Sequence, residues 1–277
     1  MATTTSTTLD DLFPTIIAEA RYTAEQESLM LGLVKSYNIG SDAGKVIQIP
    51  KYPSITAAAL TEGTDMSSTT VSTSSVSITV AEVGVQVVLS DVARDGAGDP
   101  GTAMGVLLGS AVARKMDQDL LALFDGFSTS IGGAGTEITV ADIFKAVAVL
   151  QTANAPGAMA AVIHPKVAFA LKSNLTNAFA NPHGGVAQNE AMVRGFVGSL
   201  AGVDIFQSSN LAVDGNGDAK GAVFSPEALA IALKRDFQIE TQRDASLRAD
   251  ELNATAVYGV GELDDSYGVE LFFDATV

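Results

Sequence analysis

The sequence predicts an α+β chain in which a strand-rich body is interrupted by an inserted α/β unit. Three observations carry that prediction. Apolar residues alternate at period two through Val76, Ile78 and Val80 and again through Val83, Val85, Val87 and Leu89, the signature of a sheet with one buried face. A long proline-free stretch with a helical apolar stripe follows Asp99-Pro100. Helix and strand patterns then alternate between 135 and 225 before strand patterns return to the end of the chain. At 277 residues there is material for one large or two modest domains, and no internal repeat of 20–50 residues is present.

In chain order, the first nine residues are almost all Thr or Ser and read as a mobile tail. Pro14 precedes a segment, Thr15–Asn38, whose apolar residues from Ile16 to Val34 suit a half-buried helix closed by Gly40 and Gly44. It forms an apolar arm ahead of any domain of its own. Strand KVIQIP (45–50) and the strand through Val76–Val80 are joined by about twenty small polar residues, which reads as a protruding hairpin too poor in large side chains to own a core. The switch of parity between Val80 and Val83 predicts a bulge or break near Ala81–Glu82.

Asp99 and Pro100 are N-cap and first-turn residues of a helix running to Asp125, roughly 39 Å long. Helices are predicted over Val140–Thr152, capped by Thr139, and over Pro165–Asn174. Strands are predicted over Ala158–Ile163, Val203–Gln207 and Gly221–Phe224, with a flexible loop at Asn181–Asn189 and a turn at Asp214–Asp218. The closing strands are Leu229–Leu233, Phe237–Thr241, Thr255–Val260 and Val269–Phe273, expected to share one sheet with the strands before the insertion.

Composition excludes several functions. With no cysteine there is no disulfide, thiolate metal site or cysteine nucleophile, and two histidines, His164 and His183, leave little for metal or general-base chemistry. A net charge of −16 and a pI near 4.3 oppose nucleic-acid reading, which needs clustered Lys and Arg. No run approaches the ~20 apolar residues of a membrane span, and MATTTSTTLDD has neither the basic nor the apolar region of a secretory signal.

The remaining motifs fail on chemistry. Gly96-Ala-Gly98-Asp-Pro-Gly101 fits G-x-G-x-x-G, but six residues separate it from the strand and Asp99 sits where phosphate belongs. Asp214-Gly-Asn-Gly-Asp218 resembles the start of a calcium loop but has Ala219 and Ser225 where Gly and Glu are required. Gly40–Lys45 has the wrong spacing for a P-loop, no Gly-x-Ser-x-Gly occurs, and Asp264-Asp265 reads as a turn. Catalytic residues, cofactor-binding residues, metal ligands and cofactors are therefore all expected to be none. From Asp236 to Asp274 ten acidic residues face only Arg243 and Arg248, and the interleaved charges suit either ion pairs between subunits or a solvated surface.

In this order, arm, hairpin, long helix, inserted α/β unit and strand-rich return resemble the major capsid proteins of tailed bacteriophages. GKVIQIPKYPSITAAALTEG (44–63) is similar to the start of that family's extended loop, and VGVQVVLSD (83–91) to the strand leading back to its spine helix. AMAAVIHP (158–165) resembles the buried strand of the axial domain. GFVGSLAGVDIFQSSN (195–210) and AVYGVGELDDSYGVEL (256–271) resemble later strands of the family.

The resemblance implies a tailed-phage capsid fold: arm 1–44, extended loop 45–90, peripheral domain with spine helix 91–134 and 226–277, and axial domain 135–225. It further implies a non-enzymatic shell protein, assembled in the host cytoplasm into pentamers and hexamers of an icosahedral virion shell around double-stranded DNA. The DNA would be enclosed without sequence-specific binding, and no membrane would be involved. Partners would be other copies of the chain, a portal protein, and scaffolding or cement proteins, with no scaffolding segment expected at the N-terminus. Contact candidates are Arg21 and Glu25 on the arm, Lys51, Glu62 and Asp65 on the hairpin, and Arg243 and Arg248 near the end. Lys45 and Lys51 are the hairpin's lysines, with no acceptor identified for a covalent cross-link. An encapsulin-type compartment shell and a secreted filament or surface-layer protein are the alternatives.

Overall fold

The computed structural model describes residues 28–40, 44–53, 55–63, 65–66, 68–92, 100–178 and 199–276. Among the described residues four strands precede the long helix: β1 Lys35–Asn38, β2 Val46–Lys51, β3 Ser74–Thr79 and β4 Ala81–Ser90. Helix α1 spans Pro100–Leu121 and is followed by β5 Ser130–Gly132, α2 Val140–Thr152, β6 Ala160–Ile163 and α3 Pro165–Ala178. Then come β7 Ser199–Leu200, β8 Val203–Gln207, β9 Asp218–Phe224, β10 Leu229–Asp244, β11 Ala249–Glu262 and β12 Gly268–Asp274.

These strands form a four-stranded sheet ordered β1-β10-β11-β4, a six-stranded sheet ordered β5-β12-β9-β6-β8-β7, and the two-stranded hairpin β2-β3. One core lies between α1 and the four-stranded sheet, where Leu108, Val112, Met116 and Leu120 meet Leu252, Ala254, Ala256 and Tyr258. A second packs α2 and α3 on the six-stranded sheet through Ile143, Leu150, Val167 and Leu171. Val162, Ala222 and Phe224 point to the first core, whereas Ala161, Ile163 and Val223 point to the second. The six-stranded sheet is thus buried on both faces, which is why Ala160–Ile163 reads as an unbroken apolar run.

Several local predictions hold. The break between β3 and β4 falls at Val80. Helix α2 begins at the predicted residue, its N-terminus closed by a capping box in which Thr139 and Asp142 exchange hydrogen bonds. Loop 214–218 is a turn: the Asp214 carboxylate accepts the backbone N–H groups of Asn216 and Asp218.

Four expectations need correction. The described part of Thr15–Asn38 is not an α-helix but a short 3₁₀ turn, Met30–Gly32, followed by β1, which pairs in parallel with Ala230–Leu233. The cause is tertiary: the buried Asp117 carboxylate on α1 takes bonds from the Ser28 hydroxyl and the Leu29 and Met30 N–H groups, and β10 then offers a free ladder. The α-helical part of the long helix ends at Leu121, and Ala122–Gly126 tightens to 3₁₀. The two strands predicted over 229–241 are one, β10, with its register to β11 slipping twice between Leu233 and Gln238. Finally, β12 does not join the strands that precede the insertion. It sits between β5 and β9 in the six-stranded sheet, where Val269, Leu271 and Phe273 complete the second core.

Candidate assembly site

Ile47, Ile49, Val76, Ile78 and Val80 give the hairpin one apolar face, and Ile39, Ala230, Ala232 and Val257 supply the surface it covers. The approach is close because β11 has glycines there. A Cβ on Gly259 would stand 2.4 Å from the Thr79 carbonyl oxygen, and one on Gly261 would stand 2.8 Å from the Ile78 side chain. Gly-x-Gly inside a strand is a sequence signal for such an approach, and the motif reading passed over it.

An ion pair closes the base: Lys51 Nζ lies 2.7 Å from Asp264 Oδ2. Burial pushes the Asp264 carboxyl up, but the Lys51 ammonium and the Ser266 donors outweigh it and hold the group below the usual carboxylate value. Among the described residues between Lys51 and Ser74 no strand is formed, and Tyr52, Ile55, Leu60, Met66 and Val71 are exposed, Met66 to 73%. This is a limb with large apolar side chains and no apolar cover among the described residues.

Where β3 passes into β4 the sheet bends. The Val80 N–H donates to the Lys45 carbonyl, opposite the two register slips of β10. A shallow cleft opens at the bend, lined by Lys45, Val80, Ala81, Glu82, Lys234, Arg235 and Val257.

At the far end of the four-stranded sheet, the β10–β11 hairpin is held by its own chain. Arg243 forks onto both Asp91 oxygens at 2.7 Å and reaches Asp250 at 3.2 Å. Those two carboxylates hold the guanidinium firmly protonated, its hydrogen bond to Asp91 contributing most. In the turn, the Asp244 carboxylate accepts from Ser246 and Leu247, and Arg248 takes a left-handed φ of 50°.

The proposed contact residues therefore fall into distinct settings. Arg21 and Glu25 lie outside the described residues. Lys51 pairs within its own chain at the hairpin base, whereas Glu62 and Asp65 are exposed on the limb. Arg243 is engaged by Asp91 and Asp250, and Arg248 sits exposed at the opposite tip. The structure adds Asp264, Asp91 and Asp250 as partners and Asp117 as the anchor of the arm's root, none of which can be recognised without the pairing.

His164 accepts a 3.3 Å bond from the Lys166 N–H at the start of α3, and burial, assisted by Lys166, lowers its pKa. His183 and the G-x-G-x-x-G segment before Pro100 lie outside the described residues. Among the described residues no group of three or more His, Cys, Asp or Glu side chains is arranged to hold a metal, and no helix is long and apolar enough to cross a membrane.

Comparison with known proteins identifies a family and a fold. A protein family described as "Phage capsid protein" matches residues 72–270. No curated protein sequence matches. Among solved structures, the fold is similar to a chain of Mycobacterium phage Che8, at 22% identity and a TM-score of 0.66, covering 83% of this chain and 85% of that one. It is similar to the capsid of cyanophage P-SCSP1u at 19% identity and a TM-score of 0.70, covering 90% and 89%. It is also similar to the capsid of a native GTA particle at 14% identity and a TM-score of 0.68, covering 90% of each chain.

Proposed function

The chain belongs to the phage capsid protein family, a family of virion structural proteins, and from that premise we propose that copies of it close into pentamers and hexamers of an icosahedral shell around double-stranded DNA. The observation that carries this reading is the limb between Lys51 and Ser74. It exposes Tyr52, Ile55, Leu60, Met66 and Val71 while its base is tied to the body by glycine-floored packing and an ion pair. Exposed apolar surface on a rigidly rooted projection marks a protein-binding surface, and in a shell the partner is a neighbouring copy.

The net charge of −16 suits a container for nucleic acid that must later leave, because an acidic lumen repels the packed polyanion. The chain uses no base-reading groups in this role. Regions 91–134 and 226–277 act as the peripheral domain and 135–225 as the axial domain, with β12 crossing between them in the sheet. The partners are the chain itself, a portal at one vertex, and separate scaffolding or cement proteins. Assembly takes place in the host cytoplasm.

Electron microscopy of the purified protein tests the proposal. Closed polyhedral particles are the expected result; a chain that stays dispersed under all assembly conditions, or forms flat sheets or helical filaments, contradicts it. Particles that package a protein in place of nucleic acid in infected or expressing cells identify the compartment-shell alternative.

A further inference from the structure

In the four-stranded sheet β4 is a terminal strand, and among the described residues no strand pairs with its outer edge. On its inner side it faces β11 in unbroken register, from Ala81 opposite Tyr258 to Ser90 opposite Ala249. A long straight edge is a template for another chain, and proteins ordinarily blunt one with lysine, proline or a bulge. Strand β4 has none of these, and Glu82 is its single charge. Its inward row of Val83, Val85, Val87 and Leu89 packs on the α1 core yet stays only partly buried, so that core stops unfinished at the edge. On the opposite face Val88 is half exposed.

The strand is complementary to itself. Laid antiparallel to a second copy about a twofold axis at Gln86, it sets Glu82 opposite Ser90 and Gly84 opposite Val88, each twice. Gly84 leaves room for the Val88 side chain, and no like charges meet. On the inward face Val83 meets Leu89 and Val85 meets Val87, so the two α1 cores join along one apolar row.

The ends match as well. Beside Glu82 lies the cleft carrying Lys45, Lys234 and Arg235. Around Ser90 stand Asp91, Asp244, Asp250 and Glu251 against Arg243 and Arg248. Antiparallel pairing brings each copy's basic end beside the other's acidic end, whereas parallel pairing would set like beside like. The contact is isologous, the kind that a twofold axis requires and that the heterologous contacts within a ring do not supply.

Resting on the shell reading, we infer that β4 pairs antiparallel with β4 of a second copy across a twofold axis at Gln86, making one continuous sheet of the two copies and joining neighbouring rings.

The absence of native cysteine permits a direct test. Facing Cα atoms of an antiparallel pair lie about 4.5–5.5 Å apart, within disulfide reach. In this register Glu82 and Ser90 each stand roughly 27 Å from their own counterparts. Q86C is assembled and mildly oxidised, with T152C, exposed on α2, as the control, and E82C and S90C are assembled singly and mixed. The expected result is a Q86C-linked dimer about tenfold more abundant than the T152C dimer, with E82C linking to S90C and neither linking to itself. Particles that form normally while Q86C links no more than T152C, or in which E82C and S90C link as readily to themselves as to each other, overturn the strand pairing and leave the shell reading intact. Preferential Q86C dimers in a chain that never assembles overturn the shell reading and leave the pairing standing. A chain that stays dispersed and unlinked overturns both.

Discussion

Two hairpins project from opposite ends of one sheet, and the chain treats them differently. The β10–β11 hairpin is locked by its own side chains: Arg243 bridges Asp91 and Asp250, and Asp244 caps the turn. The β2–β3 hairpin is secured at its base by Ile78, the two glycines and Lys51–Asp264, and past that point shows large apolar side chains to solvent. A projection that ends in internal ion pairs holds its own tip in the single chain. One that ends in exposed Tyr, Ile, Leu and Met is, in the proposed shell, left for a neighbouring copy to cover.

Breaking the base of the hairpin and breaking its limb should have opposite signatures, and this is the largest contrast available. Ile78 is buried to 1% exposure, so I78A should cost about 3 kcal/mol in thermal or denaturant unfolding of the dispersed chain. L60A should change that stability by less than about 0.5 kcal/mol and reduce particle formation instead. Equal unfolding costs for the two variants would erase the distinction between base and limb.

Next in size is D117A. It leaves the Ser28 hydroxyl and the Leu29 and Met30 N–H groups without their acceptor beside a buried site, and should cost about 2–3 kcal/mol, read by chemical denaturation.

The arm illustrates how far the sequence is legible. Residues 29–34 look helical by spacing, yet the described structure there is set by Asp117, nearly ninety positions away, and by an open ladder on β10. Such partners have no local signature. Elements closed by nearby chemistry were readable: Thr139 with Asp142, the Asp214 turn, and the parity change at Val80 all fell where local rules placed them. The single continuous β10 was not, because its bulged residues break the alternation. Nor was the sheet that receives β12, since apolar alternation states that a face is buried but not against which sheet. In the candidate site, the limb was legible as a segment without a core of its own, but reading it as small and polar passed over Tyr52, Ile55, Leu60, Met66 and Val71, which it exposes. The intrachain engagement of Lys51 and Arg243 was not, because a charge in sequence does not reveal its partner.

A smaller effect separates the hairpins by order rather than stability. R243M should speed amide exchange in 245–250 at the β10–β11 tip, measured by mass spectrometry, without changing exchange in the β2–β3 base. A uniform rise over both hairpins would mean that they are not independently held.

The smallest effect is in pH. Burial, with Asp265 and then Asp264 nearby, pushes the Glu262 carboxyl above its ordinary value, while Lys51 pulls it back. The folded chain thus binds this proton more readily than the unfolded chain, so the penalty is absent below the ordinary value, grows as pH rises through the folded one and is constant above it. Asp264 behaves oppositely: its lowered pKa gives stability at neutral pH that is lost as pH falls through the folded value. E262Q should therefore raise the melting temperature by about 1–2 °C at pH 7 and leave it unchanged near pH 4. An increase of the same size at both would place the effect in packing rather than charge.

Hydrogen exchange over residues 52–73, compared between dispersed chains and assembled particles, tests the central claim most directly. Rapid exchange in the dispersed chain and strong protection in the particle is the predicted result. Protection of the limb already present in single chains would contradict the account.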